Sequence, residues 1–438
     1  MEGTENYTQS SKLVSWLILA TIFLYSIVLF KSPFEGYLSY IIVVMLLPLF
    51  VLRYAFPKKM LLLYGWLMIT GIFSVLAGDN ESFLLLKILL NIVVSSLFYY
   101  YVFESTGGDV KYWFDLYLKG AFYVALLGIV QVVSFKVGFR SGYDFTFILN
   151  KWGVQDGGLL GIRLNSIFSE PSYFGATIAP AFFVAVYSLI SRNYNKYSTL
   201  QAVIIVAAYV LTFSSVAYAG IFVSLVLLLI NFGFTRYLLI AIPLVFVSYN
   251  FLYNNVFEFR TRVDGLVDLY SGKTVNALDV HGSSFVQYNN FHVAYENFKS
   301  SPVWGTGLGS HPVAFSKYSL TPPEQGAYNF NSMDANSMAY RLMSETGLFG
   351  LLFMAFFIVK FFVIRTDKNE NEEHWVISAA MLVILFLQLL RQGNYTYSGF
   401  FFFMWMYYYN AQKNAALLAE ENLDEPHEAT EEDPVLVQ

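Results

Sequence analysis

Cysteine is absent from this sequence, and charged residues are scarce. Without cysteine, the chain can form neither disulfides nor metal sites with thiolate ligands. Charged residues make up only 13% of the chain, whereas hydrophobic residues make up 56% and aromatic residues 19%. Because about a quarter of the residues in a soluble domain are charged, this composition indicates a membrane protein.

The formal net charge of −5 comes from the C-terminal segment. Ala411–Gln438 contains eight acidic residues and one lysine, with few large apolar residues after Leu418. Such a segment has too little apolar surface to bury, so we predict an acidic, disordered cytoplasmic tail over residues 411–438. The rest of the chain is close to neutral, which gives no indication of nucleic-acid binding.

Long apolar runs occupy most of the remaining chain. A helix needs about 20 apolar residues to span a bilayer. The chain has twelve candidate runs: Leu13–Phe30, Tyr37–Phe56, Met60–Ala77, Phe83–Phe103, Leu116–Val137, Ser172–Ile190, Leu200–Phe213, Tyr218–Phe232, Tyr237–Tyr253, Gly347–Ile364, Trp375–Leu390 and Tyr397–Tyr409. A single helix over Leu200–Phe232 would be about 50 Å long, so we predict a tight turn near Ser214–Ser215. The sequence therefore predicts an all-α polytopic membrane protein whose bundle occupies residues 1–410.

Basic residues orient this predicted bundle. With the N-terminus inside, the cytoplasmic segments contain twelve basic residues: Lys12, Arg53, Lys58, Lys59, Lys111, Lys119, Arg192, Lys196, Arg236, Arg365, Lys368 and Lys413. The short outside loops contain only Lys31 and Arg391. The positive-inside rule then places both termini in the cytoplasm.

Two outside segments are long, Lys136–Pro171 and Asn254–Met343, and the second of them has 90 residues. Loops of this length are usually functional. In the second segment, Ser284 and Gln287 have the spacing of a capping box. Four residues behind them fall on one helical face: Phe285, Tyr288, His292 and Tyr295. We expect a short helix there, lying on the membrane surface or packed onto the bundle.

A first candidate cluster, Arg163–Ser172, precedes the sixth span. Pro171 suits the first turn of a helix, and Ser169 or Glu170 can cap it. A helix start does not explain Arg163, whose planar fork matches phosphate and carboxylate oxygens. We therefore favour a functional role for Arg163 and Glu170.

A second cluster, Asn297–Gly309, is rich in glycine. No strand–helix unit surrounds it, which excludes a dinucleotide-binding loop. We interpret it as a mainly structural tight turn in which backbone closely approaches another element. The histidines in the large loop (His281, His292 and His311) lack a compact metal-ligand spacing, so no metal site is predicted.

A third cluster, Asp334–Gly350, leads into the tenth span. Arg341 and Glu345 are four residues apart, which suits either an ordinary surface ion pair or a functional pair facing a cavity, and we weigh these readings equally. Arg391 would be a third arginine at the same membrane depth as Arg163 and Arg341. A lone arginine there would be read as a snorkelling anchor.

Together these segments resemble Wzy-type polysaccharide polymerases of the O-antigen polymerase/ligase superfamily. Arg163–Gly175 is similar to an Arg-x-x-Ser-Ile-Phe-x-Glu-Pro-Ser-x-x-Gly signature. Leu211–Ser215 is similar to a Leu-Thr-x-Ser-Arg segment, with Ser215 where arginine is usual. Ser301–Gly309 resembles the Ser-Pro-x-x-Gly-x-Gly turn, and Asn336–Gly350 resembles the closing segment. The ligase branch has His-Asn where this chain has Ala335-Asn336, which favours a polymerase.

The resemblance implies a metal-independent membrane glycosyltransferase with a GT-C-like fold and no cofactor. It would join undecaprenyl-diphosphate-linked repeat units at the outer leaflet of the bacterial cytoplasmic (inner) membrane, with its active site facing the periplasm or exterior. A chain-length regulator and a flippase are the implied protein partners. Two alternatives remain open, an O-antigen ligase-type transferase and a non-enzymatic flippase or transporter for the same lipid-linked glycans. The absence of an internal repeat and the long loop argue against a transporter.

The implied reaction assigns roles to the candidate residues. The diphosphate-binding candidates are Arg163, Arg341 and Arg391, followed by Arg260 and Arg262. The catalytic candidates are Glu170 as leading base, followed by His281 and Glu345. The sugar-binding candidates are Asn336, Tyr340, Tyr288, Tyr295 and Trp304. The site should then lie at the membrane surface beneath the large loop.

Overall fold

The computed structural model describes residues 8–30, 35–191, 194–233, 249–273, 280–321, 330–365 and 371–424, together with residues 243, 246 and 247. Fourteen α-helices are bounded within these residues: α1 Thr8–Phe23, α2 Leu38–Val51, α3 Lys58–Ala77, α4 Ser82–Glu104, α5 Val110–Lys136, α6 Pro171–Ile190, α7 Thr199–Val210, α8 Ser215–Asn231, α9 Phe257–Tyr270, α10 Gly282–Ser300, α11 His311–Tyr318, α12 Met338–Lys360, α13 Glu372–Arg391 and α14 Phe400–Asp424. Two short strands, β1 Val28–Phe30 and β2 Gly36–Tyr37, pair antiparallel. The protein is thus mostly helical, as predicted.

Six of these helices, α3, α4, α5, α6, α12 and α13, are long and apolar enough to cross a membrane. Four shorter apolar helices coincide with the first, second, seventh and eighth predicted spans. Most of the ninth predicted span, Tyr237–Tyr253, lies outside the described residues. The membrane character of the chain follows from these helices, while the count of twelve spans stays a prediction.

Helices α6 and α13 form the centre of the bundle. In each, 72% of the most apolar window is buried inside the protein, compared with 22% in α3. Helix α6 packs against α7, α8 and α13, and α13 also packs against α14. The ends of α6 and α13 are therefore well fixed, which matters because candidate site residues lie at one end of each.

The first predicted span is too long, since α1 ends at Phe23 and Val28–Phe30 is a strand. Asn150 explains the change. Its side-chain oxygen accepts from the Val28 amide at 2.8 Å, and its side-chain amide donates to the Val28 carbonyl at 2.5 Å. These hydrogen bonds satisfy backbone groups that a helix would have paired internally.

The predicted break between the seventh and eighth spans is confirmed. Helix α7 ends at Val210, and α8 begins at Ser215 with the Ser214 hydroxyl accepting from the Val216 amide at 3.3 Å. Phe213 has a φ of 45°, in the left-handed region that ends helices.

The helix predicted in the large loop exists as α10, but its start was predicted wrongly. His281, not Ser284, is the N-cap residue, and its side chain accepts from the Ser283 amide. Of the four residues predicted to share one helical face, Phe285 is buried but Tyr295 is exposed, and Asn289, Asn290 and Asn297 are buried as well. Helix α10 packs onto α12 and is flanked by α9 and α11.

Helix α14 extends to Asp424, into the segment predicted to be a disordered tail. The stretch Asn414–Glu420 consists largely of alanine, leucine and glutamate, which are strong helix formers and extend the last helix. The tail prediction is therefore corrected up to residue 424, and residues 425–438 lie outside the described part of the chain.

Candidate functional site

A polar cavity of about 310 Å³ lies at the end of the bundle where α6 and α8 begin and α13 ends. Segments from the large loop, including the start of α10 and the chain before α12, form its other walls. Five predicted site residues line it: Arg163, Glu170, Arg262, Asn336 and Arg391. The three arginines outnumber the two lining carboxylates, Glu170 and Asp334, so the cavity suits an anion.

Arg163 is positioned by the segment between α7 and α8. Its backbone amide donates to the Gln155 carbonyl at 2.7 Å, and its Nε donates to the Thr212 carbonyl at 3.2 Å. The next residue, Leu164, donates to the Leu211 carbonyl at 3.0 Å. The Arg163–Ser172 cluster and the Leu211–Ser215 segment, 39 positions apart at their nearest ends, are therefore adjacent in the fold.

Glu170 occupies the N-cap position of α6, and Pro171 opens the helix as predicted. The Glu170 side chain does not cap the helix. Its carboxylate instead accepts from the Ser172 hydroxyl at 2.9 Å, and the residue is exposed along the cavity wall. A carboxylate with this access can accept a proton from a bound hydroxyl group.

Gln287 connects residues from three elements around the cavity. Its side-chain oxygen accepts from Arg391 Nη1 and, at 3.1 Å, from Asn336 Nδ2. Its side-chain amide donates to the Tyr340 hydroxyl at 2.9 Å. Sequence reasoning assigned Gln287 to a helix cap and missed this role, because nothing in the local sequence shows which residues α10 faces.

Arg341 and Glu345 form an ion pair with a distance of 2.9 Å between Arg341 Nε and Glu345 Oε1. Both residues are buried, which excludes the reading as an ordinary surface ion pair. Neither residue lines the cavity. Arg341 Nη1 donates to the Gly393 carbonyl at 2.9 Å, and the Tyr395 hydroxyl donates to Glu345 Oε2 at 3.0 Å. The pair thus supports the chain that follows Arg391 from behind the cavity wall.

Four other candidates lie away from the cavity lining. His281 caps α10, and Arg260 lies near the Phe257 ring, with 5.9 Å from its Cζ to the ring centroid. Tyr288 packs edge-on against Tyr270. Tyr295 is exposed and stacks on the neighbouring Phe291 ring.

Trp304 belongs to the glycine-rich turn, which was predicted to be mainly structural. The turn packs against a break in α12. Gly347 has a φ of 61° and interrupts the helix. Turn amides fill the gap: Gly307 donates to the Glu345 carbonyl at 2.8 Å, and Leu348 of the helix donates back to the Pro302 carbonyl at 2.8 Å. The Trp304 ring packs against Trp66 and Phe349 instead of reaching the cavity.

His311, at the start of α11, is buried beside this turn, and its Nε2 lies 3.0 Å from Asn290 Oδ1. Burial and the nearby positive charge of Arg341 lower the pKa of His311 from about 6.5 to about 3. Within the described residues, no group of three histidine or carboxylate side chains is arranged to hold a metal ion.

No protein-family model matches this chain. No curated protein matches its sequence either.

Proposed function

We propose that this protein is a polysaccharide polymerase that joins lipid-diphosphate-linked oligosaccharide repeat units. The observation that carries the proposal is the convergence of Arg163, Glu170, Arg262, Asn336 and Arg391 in one cavity. Arg163 and Glu170 belong to one polymerase-like motif and Asn336 to another, while Ser214 and Ser215 of a third also line the cavity.

The cavity has the groups that the reaction requires. A hydroxyl oxygen of the acceptor sugar attacks the anomeric carbon of the donor, and the bond from that carbon to the diphosphate oxygen breaks. The acceptor proton passes to the Glu170 carboxylate, and the lipid diphosphate leaves with its charge neutralised by the arginines. Asn336 offers hydrogen bonds to sugar hydroxyls.

The number of spans and their orientation in the membrane belong to the same proposal. Twelve spans in a GT-C-like arrangement would place the cavity at the outer face of a bacterial cytoplasmic membrane, where lipid-linked repeat units are polymerised. In support, every residue that lines the cavity lies in a segment predicted to be outside or at the outer end of a predicted span. Most of the large loop then acts as a cover for the site, and a chain-length regulator and a flippase would be its partners.

Surface-glycan length in a deletion strain tests the function. We expect the deletion to leave single repeat units, and the wild-type gene to restore long polymer. Loss of all surface glycan, with units trapped inside, would indicate a flippase. Full-length polymer left on the carrier lipid would indicate a ligase.

Single substitutions test the site on the same gels and with purified protein. We expect Arg163→Ala, Arg262→Ala and Glu170→Gln each to reduce polymerisation by about 10²–10³-fold, since each removes a group that stabilises developing charge or takes the proton. Arg260→Ala is the matched control, because Arg260 lies on the same helix as Arg262 but outside the cavity lining. Equal losses in Arg260→Ala and Arg262→Ala would contradict the site.

A further inference from the structure

A second, larger cavity of about 830 Å³ runs along the outside of the bundle between α3, α4, α12 and α14. Its walls are mostly aliphatic and aromatic, including Trp66, Phe353 and Trp405. This lateral groove has no role in the proposed reaction. Its size and apolar walls suit hydrocarbon chains rather than a sugar.

The two ends of the lateral groove differ in charge. One end is formed by Leu308, Met338 and Tyr395, beside the start of α12. Lys58 and Lys59 lie at the other end, where α3 begins. Helix α12 runs between the two ends, so about 30 Å separates them.

A third lysine lies at the same end. Lys360 is the last residue of α12, and its ammonium lies 5.2 Å and 5.5 Å from the ring centroids of Phe356 and Phe361, which line the groove. Lys360 therefore adds positive charge beside residues that line the groove, without lining it itself.

The counter-charge at this mouth is small. Glu104 is the one carboxylate in the lining, and it accepts a hydrogen bond from the Tyr409 hydroxyl. Among the described residues, Lys58 and Lys59 form no salt bridge, and both are exposed. A positively charged mouth above an apolar groove matches a lipid whose headgroup is anionic.

We propose that the lateral groove binds an anionic phospholipid, with its acyl chains between α3 and α14 and its phosphate at Lys58 and Lys59. The lysine end is a helix length from the polar cavity, whereas the diphosphate of a lipid-linked glycan would have to lie at that cavity. The occupant is therefore a structural lipid rather than the substrate. The binding of an anionic lipid rests on the groove alone, whereas the exclusion of the substrate lipid rests on the proposed function.

Lipid binding to the full-length purified protein tests the inference. Delipidated protein is titrated with phosphatidylglycerol or phosphatidylcholine in detergent and bound lipid is counted by native mass spectrometry. We expect phosphatidylglycerol to bind more tightly, and Lys58→Gln/Lys59→Gln to weaken it by roughly thirtyfold, about fivefold per lysine. Lys12→Gln/Lys119→Gln is the control, since it removes two exposed lysines that do not line the groove, and it should bind as the wild type does.

Three results would overturn the proposal: equal binding of the two phospholipids, unchanged phosphatidylglycerol binding in Lys58→Gln/Lys59→Gln, or an equal loss in the control. Polyprenyl diphosphate forms a further arm. If its binding, and not that of phosphatidylglycerol, depends on Lys58 and Lys59, the groove holds the substrate lipid instead. Thermal melting within a few degrees of the wild type verifies that both double variants are folded.

Discussion

At the scale of single residues, Gln287 is the side chain that best explains how the cavity keeps its shape. Its oxygen takes two donors, Arg391 and Asn336, and its nitrogen is committed to Tyr340. This pattern fixes which way the amide points, and so it fixes the direction of the Arg391 guanidinium. A hydrogen bond to a charged group contributes about 1.5–3 kcal/mol.

Replacing Gln287 by methionine should therefore misplace Arg391 without removing it. We expect the kcat/KM of the proposed polymerisation to fall about 10–100-fold, the equivalent of about 1.5–3 kcal/mol. Gln287→Glu keeps an acceptor for Arg391 and should retain more activity. Gln388→Met is the control, because the buried Gln388 amide has no hydrogen-bond partner among the described residues. The three variants are compared by activity assays and thermal melts. Equal losses of activity in Gln287→Met and Gln388→Met would contradict the role of Gln287 in positioning Arg391.

His311 makes acid stability a second test at this scale. Its pKa is lowered to about 3 in the folded protein, below the value of about 6.5 for a free imidazole. The neutral form is favoured by folding, so the stability from this group is complete above pH 6.5. That stability is lost by about 1.4 kcal/mol per pH unit as the pH falls from 6.5 towards 3, because only the unfolded chain takes up the proton.

The melting temperature of the wild type in detergent should therefore decrease between pH 7 and pH 5. We expect His311→Gln to show a flatter profile, although it is less stable at pH 7. His292→Gln, on the partly exposed part of α10, should keep the wild-type profile. Parallel profiles for the wild type and His311→Gln would show that the acid sensitivity arises elsewhere.

At the scale of elements, the break in α12 is the feature that links the large loop to the bundle. The turn at Pro302–Gly307 supplies hydrogen bonds that the helix lacks at Gly347. Contact there is backbone to backbone: a Cβ on Gly305 would lie 2.4 Å from the Glu345 carbonyl carbon. Since Glu345 pairs with Arg341, the turn also supports the chain behind the cavity.

Gly347→Ala tests this arrangement. The φ of 61° at Gly347 disfavours alanine, and the added Cβ would lie 2.6 Å from the Gly305 nitrogen. We therefore expect the free energy of unfolding to fall by about 1–3 kcal/mol. Gly65→Ala is the matched control, since its Cβ meets nothing within 4 Å and alanine favours the helix α3 by about 0.5–1 kcal/mol. Melting temperatures in detergent should thus move in opposite directions.

The elements also show what the sequence could and could not predict. Apolar runs located most helices, and Pro171 correctly marked the start of α6, because these signals are local. The end of α1 at Phe23 depends on Asn150, which is distant in sequence, and the face of α10 depends on α12. Long-range partners decide both, so a single window of sequence could not supply them.

At the scale of the whole molecule, the two ends of the bundle differ in chemistry. One end has the polar cavity with Arg163 and Arg391. At the other end, Lys111 and Lys196 share Glu373, at 2.8 Å and 2.7 Å. The positions of the apolar runs predicted Arg163, Arg341 and Arg391 at one membrane depth. They could not show that Arg341 is buried against Glu345 and Tyr395, away from the cavity lining.

The division predicts a topology that labelling can measure without background, because the sequence has no native cysteine. Ser271→Cys lies after α9 at the cavity end, and Asn195→Cys lies before α7 at the opposite end, and both positions are exposed. In cells whose outer envelope has been removed but whose cytoplasmic membrane is intact, a membrane-impermeant maleimide should label Ser271→Cys immediately. It should label Asn195→Cys only after the membrane is permeabilised. The reverse pattern would place the cavity in the cytoplasm and contradict the proposed function. Labelling of both positions before permeabilisation would contradict the alternation of spans.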